Sequence, residues 1–148
     1  MATRTLKSQA ITLLARRDYA RSELEERLAA KGADRAELSR TLDELAALGY
    51  LSDQRYARSV AKQKAGRYSR RSIAGVLKAR GVDGEAIASA VAEACTDDEA
   101  ALLALWRRRF GRAPADERDK ARQVRFLQSR GFALSAILKL LRTARSEG

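Results

Sequence analysis

Nine basic residues in two short clusters are the side chains of this chain best suited to bind a charged partner. They are Lys62, Lys64, Arg67, Arg70, Arg71, Arg107, Arg108, Arg109 and Arg112. Lysine and arginine at this density attract anions, either the phosphates of a nucleic acid or the carboxylates of an acidic protein, and they speed the encounter with both. For any single member the ordinary alternative is a solvated helix face, with cations beside a helix C-terminus.

Other kinds of chemistry find little support in the residue types present. The chain has no histidine, and so lacks the commonest general base and metal ligand. Its single cysteine, Cys95, has no companion for a disulfide or a metal, and we interpret it as a small apolar residue at a helix end. No glycine-rich phosphate-binding loop follows a strand. We therefore expect a protein that is not an enzyme and that uses no metal or cofactor.

The formal net charge of +11 is unevenly spread along the 148 residues. Residues 1–50 hold nine basic and eight acidic side chains, residues 51–95 hold nine and four, and residues 96–148 hold twelve and seven. Between Asp53 and Asp83 there are nine basic residues and no acid. The acid-free stretch as a whole favours a binding face over a merely solvated one.

A short motif that ends in glycine recurs three times and sets the spacing of these clusters. The copies are Leu28-Ala29-Ala30-Lys31-Gly32, Leu77-Lys78-Ala79-Arg80-Gly81 and Leu127-Gln128-Ser129-Arg130-Gly131, with glycines 49 and 50 residues apart. Apolar residues recur at the same distances before and after each glycine. A period near fifty indicates small modules in series, each burying its apolar face partly against its neighbours.

The apolar spacing inside each module is helical. In the first, Leu6, Ala10, Leu13 and Leu14 form one stripe, and Leu24 with Leu28 form a second that Gly32 ends. A third helix opens at an Asp34–Glu37 capping box, and its apolar positions are Leu38, Leu42, Leu45 and Leu48. In the later modules, Ser52 or Asp53, Ser69, Asp83, and Asp97 or Asp98 are predicted to open helices.

The predicted fold is therefore all-α, with three tandem three-helix repeats. Their predicted bounds are 1–50, 51–95 and 96–148, of which the second and third are basic. We expect an elongated, curved array stacked right to left; a helix of about 14 residues is about 20 Å long, so three modules in series would span on the order of 60 Å. No segment approaches the roughly 20 apolar residues of a membrane span, and the N-terminus lacks a signal-peptide core, so we expect a soluble cytoplasmic protein.

The aromatic residues indicate what kind of anion the basic face would bind. Tyr56, Trp106 and Phe110 fall on apolar stripes and are predicted to lie in the core. Tyr19 and Tyr68 each stand 13 residues before a motif glycine, which indicates a repeated packing element. Few rings are left to stack on bases, so the basic face suits a phosphate backbone or an acidic protein better than base readout.

Four segments carry a resemblance to a known family. They are Arg17-Asp18-Tyr19 with Glu23-Leu24, Gly49-Tyr50-Leu51-Ser52-Asp53 with Arg55-Tyr56, Ile73 through Leu77 with Arg80-Gly81-Val82, and Val124-Arg125-Phe126-Leu127 with Arg130-Gly131-Phe132. The chain resembles the RecX family of bacterial regulatory proteins over nearly its full length. One departure is Ala20, which stands where the family usually has a serine-like helix cap, and Ser22 with Glu25 is the alternative cap.

The resemblance implies regulation of RecA, the recombinase that polymerises on single-stranded DNA. Family members bind the RecA filament, lie along its groove, and inhibit filament growth, ATP hydrolysis and strand exchange. The expected partners are thus the RecA filament and, more weakly, DNA phosphates, for a monomeric protein that does not bind membranes. Two alternatives remain open: a helical-repeat protein that acts by occupying DNA phosphates, and a helical adaptor for another acidic protein.

Overall fold

The computed structural model describes residues 4–147, and its regular elements are nine α-helices. They are α1 Leu6–Arg16, α2 Arg21–Ala29, α3 Arg35–Ala47, α4 Asp53–Lys64, α5 Arg70–Ala79, α6 Gly84–Ala94, α7 Asp98–Arg109, α8 Glu117–Ser129 and α9 Leu134–Glu147. This confirms the prediction of an all-α fold built from three successive three-helix repeats. None of these helices is long and apolar enough to cross a membrane.

Most helices begin where the sequence places a side-chain cap. Asp34 accepts the backbone N–H of Glu37, and Asp97 accepts that of Ala100, so Asp97 rather than Asp98 caps α7. Ser52 accepts the N–H of Arg55 and therefore caps α4, which leaves Asp53 free for another contact. Each cap satisfies one backbone donor that the first helical turn would otherwise leave unpaired. Seven capping residues are thus seen, at Thr5, Asp34, Ser52, Ser69, Asp83, Asp97 and Asp116.

The described residues form two compact units that divide the middle repeat. Unit 1 comprises residues up to Val60 together with Val76–Ala90, and unit 2 comprises Ala61–Gly75 together with the residues from Val91 onward. The repeat bounds at 50/51 and 95/96 stay a prediction. Each unit contains one junction between successive repeats.

The core of unit 1 is built from the predicted stripes of the first repeat. Ala10, Leu13, Leu24, Leu28, Leu38, Leu42 and Leu45 are all buried in one cluster. The prediction that Leu48 continues this stripe is wrong, because 57% of its surface is exposed. The helix ends at Ala47 and Gly49 takes φ +87°, so the chain turns before Leu48 reaches the core.

The core of unit 2 joins α7, α8 and α9. Trp106 is buried as predicted, whereas Phe110 is only half-buried at the edge of the cluster. Gln123 is a buried polar residue, 1% exposed, whose side-chain oxygen accepts the indole N–H of Trp106 at 2.9 Å. This bond joins α7 to α8 and satisfies a donor that would otherwise be costly to bury.

The two junctions between repeats follow the same plan. In unit 1, the N–H of Arg21 donates to Asp53 Oδ1 at 2.8 Å, and the hydroxyl of Ser22 donates to the carbonyl of Arg80. The prediction of Ser22 as the alternative cap of α2 is therefore wrong. Ala20 occupies the cap position, and Glu23 accepts its backbone N–H at 3.3 Å.

In unit 2, the N–H of Arg70 donates to Asp98 Oδ1 at 2.9 Å, and the N–H of Ser69 donates to the carbonyl of Arg130, also at 2.9 Å. The start of the second helix in one repeat thus meets the first helix and the glycine turn of the next repeat. This packing brings the turn between α4 and α5 close to the end of α8, where the candidate site lies.

Candidate functional site

The positive charge of the chain is concentrated in unit 2. Unit 1 carries 13 basic and 11 acidic side chains, a net charge of +2. Unit 2 carries 17 basic and 8 acidic side chains, a net charge of +9. All nine candidate binding residues belong to unit 2. The field that would attract an anionic partner therefore comes mainly from one compact body.

Ion pairing within residues 4–147 increases this difference between the units. Five of the six ion pairs lie in unit 1, namely Lys7–Glu44, Arg17–Glu23, Arg21–Asp43, Arg55–Asp18 and Arg80–Glu23. The sixth, Arg122–Asp119, is in unit 2. None of the nine candidate residues pairs with a carboxylate in the described part of the chain. Their charges are thus available to a partner, whereas much of the charge in unit 1 is neutralised internally.

The structure brings the two basic clusters together at the turn between α4 and α5. Arg108, in the last turn of α7, donates from Nη2 to the carbonyl of Gly66 at 2.9 Å. Gly66 has φ +80°, and the turn is closed by bonds from the backbone N–H groups of Arg67 and Tyr68 to the carbonyl of Lys64. Arg108 of the second cluster thus contacts the turn that carries part of the first cluster, although some forty positions separate the two in the chain.

At this surface three cations lie against two aromatic rings. Lys64 Nζ is 4.6 Å from the ring centre of Tyr68, and the guanidinium of Arg130 is 4.8 Å from the same ring. Arg130 is also 5.0 Å from the ring centre of Phe126, which Arg109 approaches to 4.6 Å. We call these five residues the ring-locked cluster. A cation over a ring face gains about 0.5–1 kcal/mol at an exposed site, so the rings hold the cations in place.

A second aromatic contact extends the ring-locked cluster along α8. Phe110 meets Phe126 edge to face, with ring centres 5.7 Å apart, and Arg122 lies 5.3 Å from the Phe110 ring. Arg122 also pairs with Asp119 at 2.8 Å. Hydrogen bonds from the backbone N–H of Ala115 and then from Arg122 lower the pKa of the Asp119 carboxyl, which keeps this pair ionised. Arg122 thus already has a carboxylate partner within the chain.

The remaining candidate residues make no ring contact among the described residues. Arg107 and Arg112 line a cleft between α7 and α9, next to Asp98 and Glu99. Arg70 is half-buried, while three candidates project into solvent without an ion pair among residues 4–147. These three are Lys62, Arg67 and Arg71. The three successive arginines of Arg107–Arg109 do not share one helix face, because successive residues on a helix point about 100° apart.

Sequence reasoning named Lys64 and Arg109 as candidate binding residues and missed the other three members of the ring-locked cluster, Tyr68, Phe126 and Arg130. It places Arg130 in the repeated glycine motif without a binding role, predicts Tyr68 only as a packing element, and gives Phe126 no role. The spacing of Arg122, Phe126 and Arg130 is a usable signal, because residues four apart lie on one helix face. The contact from Tyr68 to Arg130 has no such signal, since 62 positions separate them and only the junction brings them together.

Cys95 lies at the end of α6, within unit 2, and is half-buried. Burial raises the pKa of its thiol, and the nearby charge of Arg70 only partly offsets this. The thiol form therefore prevails at neutral pH, which suits the predicted role as a small apolar residue.

The arrangement is suited to binding anions. The guanidinium groups of Arg109 and Arg130 donate no hydrogen bond to any described residue, and their ring contacts leave the donors at the guanidinium edge free. A planar guanidinium presents these donors as a fork that matches a carboxylate or a phosphate. The cation contacts lie on the faces of Tyr68 and Phe126, so the cluster favours charge recognition over base stacking.

Comparison with known proteins places the whole chain in one group. Three family models match in order: the first RecX three-helix domain over residues 7–45, the second over 52–91 and the third over 97–141. The crystal structure of RecX from Lactobacillus salivarius aligns with a TM-score of 0.68 at 19% identity, over 93% of this chain and 94% of that one. At this identity the likeness shows a shared fold.

Several curated relatives are much more similar in sequence to this chain than the Lactobacillus salivarius protein is. The regulatory protein RecX of Chromobacterium violaceum is 44% identical over 93% of this chain and 90% of its own length. The regulatory protein RecX of Leptothrix cholodnii is 40% identical over 97% and 91%, and that of a strain of Thermus thermophilus is 40% identical over 94% and 92%. The chain belongs to the RecX family of regulatory proteins.

Proposed function

We propose that this protein is a non-enzymatic negative regulator of the RecA recombinase. It binds the RecA–DNA filament and inhibits filament extension, ATP hydrolysis and strand exchange, and it thereby modulates DNA repair and recombination. Membership of the RecX family supports the choice of partner. The ring-locked cluster and the unpaired cations around it support the mode of binding.

The observation that carries the proposal is the set of cations without internal partners in unit 2. Lys64, Arg109 and Arg130 lie against rings and pair with no carboxylate of the described chain. A long cationic side chain loses about 0.5–1.5 kcal/mol of conformational freedom when a partner immobilises it. Side chains already held by Tyr68 and Phe126 lose less, so the cluster is prepared for an anionic surface.

A filament suits such a surface because it repeats the same acidic groups and phosphates along its length. Contacts at one point raise the effective concentration of the next contact, so several weak electrostatic contacts on one chain add up to firm binding. The net charge of +9 on unit 2 also speeds the first encounter with an anionic polymer.

The test is DNA-dependent ATP hydrolysis by preformed RecA filaments with increasing amounts of this protein. We expect the wild-type chain to lower hydrolysis at substoichiometric ratios. The double variant Lys64→Ala/Arg109→Ala should need at least several-fold more protein for the same inhibition. Neither side chain donates a hydrogen bond to a described residue, so the variant should fold normally.

The matched control is Arg35→Ala/Arg40→Ala, which removes the same charge from exposed positions in unit 1. This control should inhibit as the wild type does. Unchanged hydrolysis at equimolar wild-type protein would refute the proposal. Equal loss in both double variants would show that net charge alone, and not the ring-locked cluster, sets the affinity.

A second candidate function is occupation of free DNA, and it is favoured by the same guanidinium forks, which fit phosphates as well as carboxylates. In that case the affinity for free DNA would account for all of the inhibition, and it would fall steeply with salt. Measuring free-DNA affinity beside filament inhibition separates the two candidates. We expect inhibition at protein concentrations too low to saturate free DNA.

A further inference from the structure

One turn in unit 1 holds two large apolar side chains out into solvent. Leu48 and Tyr50, on either side of Gly49, are 57% and 47% exposed. Among residues 4–147 the other large apolar residue in the same class is Leu134, which is 46% exposed and stands alone at the start of α9. Single exposed apolar residues are normal on a protein surface, but here two stand within three residues on one turn.

Hydrogen bonds hold this turn rigidly. The N–H of Tyr50 donates to the carbonyl of Leu45 at 2.9 Å. From the other side, Arg55 Nη2 donates to the carbonyls of Gly49 and Tyr50 at 3.1 and 3.0 Å. Arg55 is itself fixed, since its Nε donates to Asp18 Oδ1 at 2.8 Å. The two apolar side chains are therefore displayed on a backbone that needs no further ordering to bind.

Two acidic residues late in α3, shortly before this turn, are paired, and so is Arg55. Lys7 pairs with Glu44 at 2.7 Å, Arg21 pairs with Asp43 at 2.8 Å, and Arg55 is bound to Asp18 as described. Asp43, Glu44 and Arg55 therefore each have a charged partner within the chain. The turn thus differs from the ring-locked cluster: it offers two exposed apolar side chains on a hydrogen-bonded backbone, not cations.

We propose that Leu48 and Tyr50 form an apolar anchor that inserts into an apolar pocket on the protein component of the filament. This inference rests on the proposed function and deepens it, because it assigns the contact to the RecA protein and not to DNA. Tyrosine is enriched among residues that dominate binding energy, and a rigid backbone lowers the entropic cost of using it. The ring-locked cluster supplies the separate, charge-dependent contact.

The size of the exposed pair Leu48 and Tyr50 argues for this occupant over a second copy of the chain. A fully buried tyrosine contributes about 150–250 Å², so the exposed parts of these two side chains amount to only on the order of 200 Å². A stable dimer needs about 800 Å² on each partner. The anchor is therefore too small to hold a partner alone, and suits one that the basic surface of unit 2 also engages.

The test is the double variant Leu48→Ser/Tyr50→Ser, titrated against assembled RecA–DNA filaments and against free single-stranded DNA. We expect filament affinity to fall about tenfold, by a similar factor at low and at high salt, because apolar contacts are not screened by ions. Affinity for free DNA should stay unchanged. Leu134→Ser is the control, and it should bind filaments as the wild type does.

Several outcomes would overturn the anchor. These are unchanged filament affinity, an equal loss of free-DNA affinity, or a concentration-dependent dimer of the wild type that the double variant abolishes in sedimentation. If the double variant is less stable than the wild type, the single variant Leu48→Ser is used for the test instead. We expect its filament affinity to be about threefold lower than that of the wild type. A wild-type chain that fails to bind filaments refutes the proposed function itself, whereas wild-type binding with an unaffected variant refutes only the anchor.

Discussion

At the scale of single residues, the three motif glycines have the same backbone conformation but different surroundings. Gly32, Gly81 and Gly131 all have positive φ, at +94°, +78° and +91°. A Cβ on Gly32 would meet nothing within 4 Å, whereas a Cβ on Gly131 would lie 2.5 Å from Ser69 Oγ and 2.6 Å from Ser72 Cβ. The third glycine therefore ends a helix and also makes room for the preceding repeat.

This difference predicts unequal effects for one substitution. Gly32→Ala should lower the free energy of unfolding by about 1–2 kcal/mol, the usual cost of a left-handed alanine. Gly131→Ala adds overpacking against two serines, typically about 1–3 kcal/mol more. Denaturant unfolding of both variants measures the two costs. Equal destabilisation would show that the junction in unit 2 is not tightly packed around Gly131.

At the scale of elements, one carboxylate at the start of α2 makes several contacts. Glu23 accepts the N–H of Ala20, pairs with Arg17 at 3.0 Å and lies 3.6 Å from Arg80. Burial favours the neutral acid, but the hydrogen bond and charge of Arg17, the Ala20 N–H and Arg80 outweigh it and lower the pKa of Glu23 below its ordinary 4.5. The hydrogen bond to Glu23 likewise raises the pKa of Arg17.

Because folding lowers the pKa of Glu23, the ionised form stabilises the folded state. This contribution is fully present above about pH 4.5 and is lost as the pH falls through the lowered folded value. Acid should therefore destabilise the wild type more than it destabilises Glu23→Gln. Unfolding free energies measured from neutral pH down to about pH 3 test this. Glu25→Gln is the control, since Glu25 makes no ion pair among residues 4–147. If the free energy of unfolding falls with pH in parallel for the wild type and both variants, the role given to Glu23 is wrong.

The elements were largely predictable from the sequence, because local chemistry sets them. Apolar residues at helical spacing and caps such as Asp34 and Asp97 act within one or two turns, and the structure has them as predicted. One error arose where a side chain acts over a long range, and another arose at a helix end. Ser22 resembles a local cap, yet its hydroxyl reaches Arg80 across 58 positions. Leu48 continues the stripe in the sequence, but the helix ends just before it.

The candidate site was predictable in part for the same reason. The basic clusters, and the expectation that they bind anions, follow from the positions of Lys and Arg in the sequence, and Phe126 with Arg130 could have been found from helical spacing. The meeting of Tyr68 with Arg130 depends on the junction between the second and third repeats, where the Ser69 N–H binds the Arg130 carbonyl. No local pattern encodes that contact.

At the scale of the whole molecule, the two units differ in charge and in the contacts they offer. Unit 1 has a net charge of +2 and most of the ion pairs among residues 4–147, and it displays an apolar turn. Unit 2 has a net charge of +9 and holds the ring-locked cluster. We expect a partner to be attracted by the charge of unit 2 and selected by the apolar contact of unit 1.

The most direct test of this account is the salt dependence of binding to assembled RecA–DNA filaments. The wild-type chain should show a steep fall in affinity with salt, since partner anions release their counterions to the solvent when the cations of unit 2 bind. Lys64→Ala/Arg109→Ala should bind more weakly, and its slope of log affinity against log salt concentration should be shallower by about one to two. Arg35→Ala/Arg40→Ala should keep the wild-type slope. If the two double variants show the same slope and affinity, the ring-locked cluster does not carry the binding and the central claim is wrong.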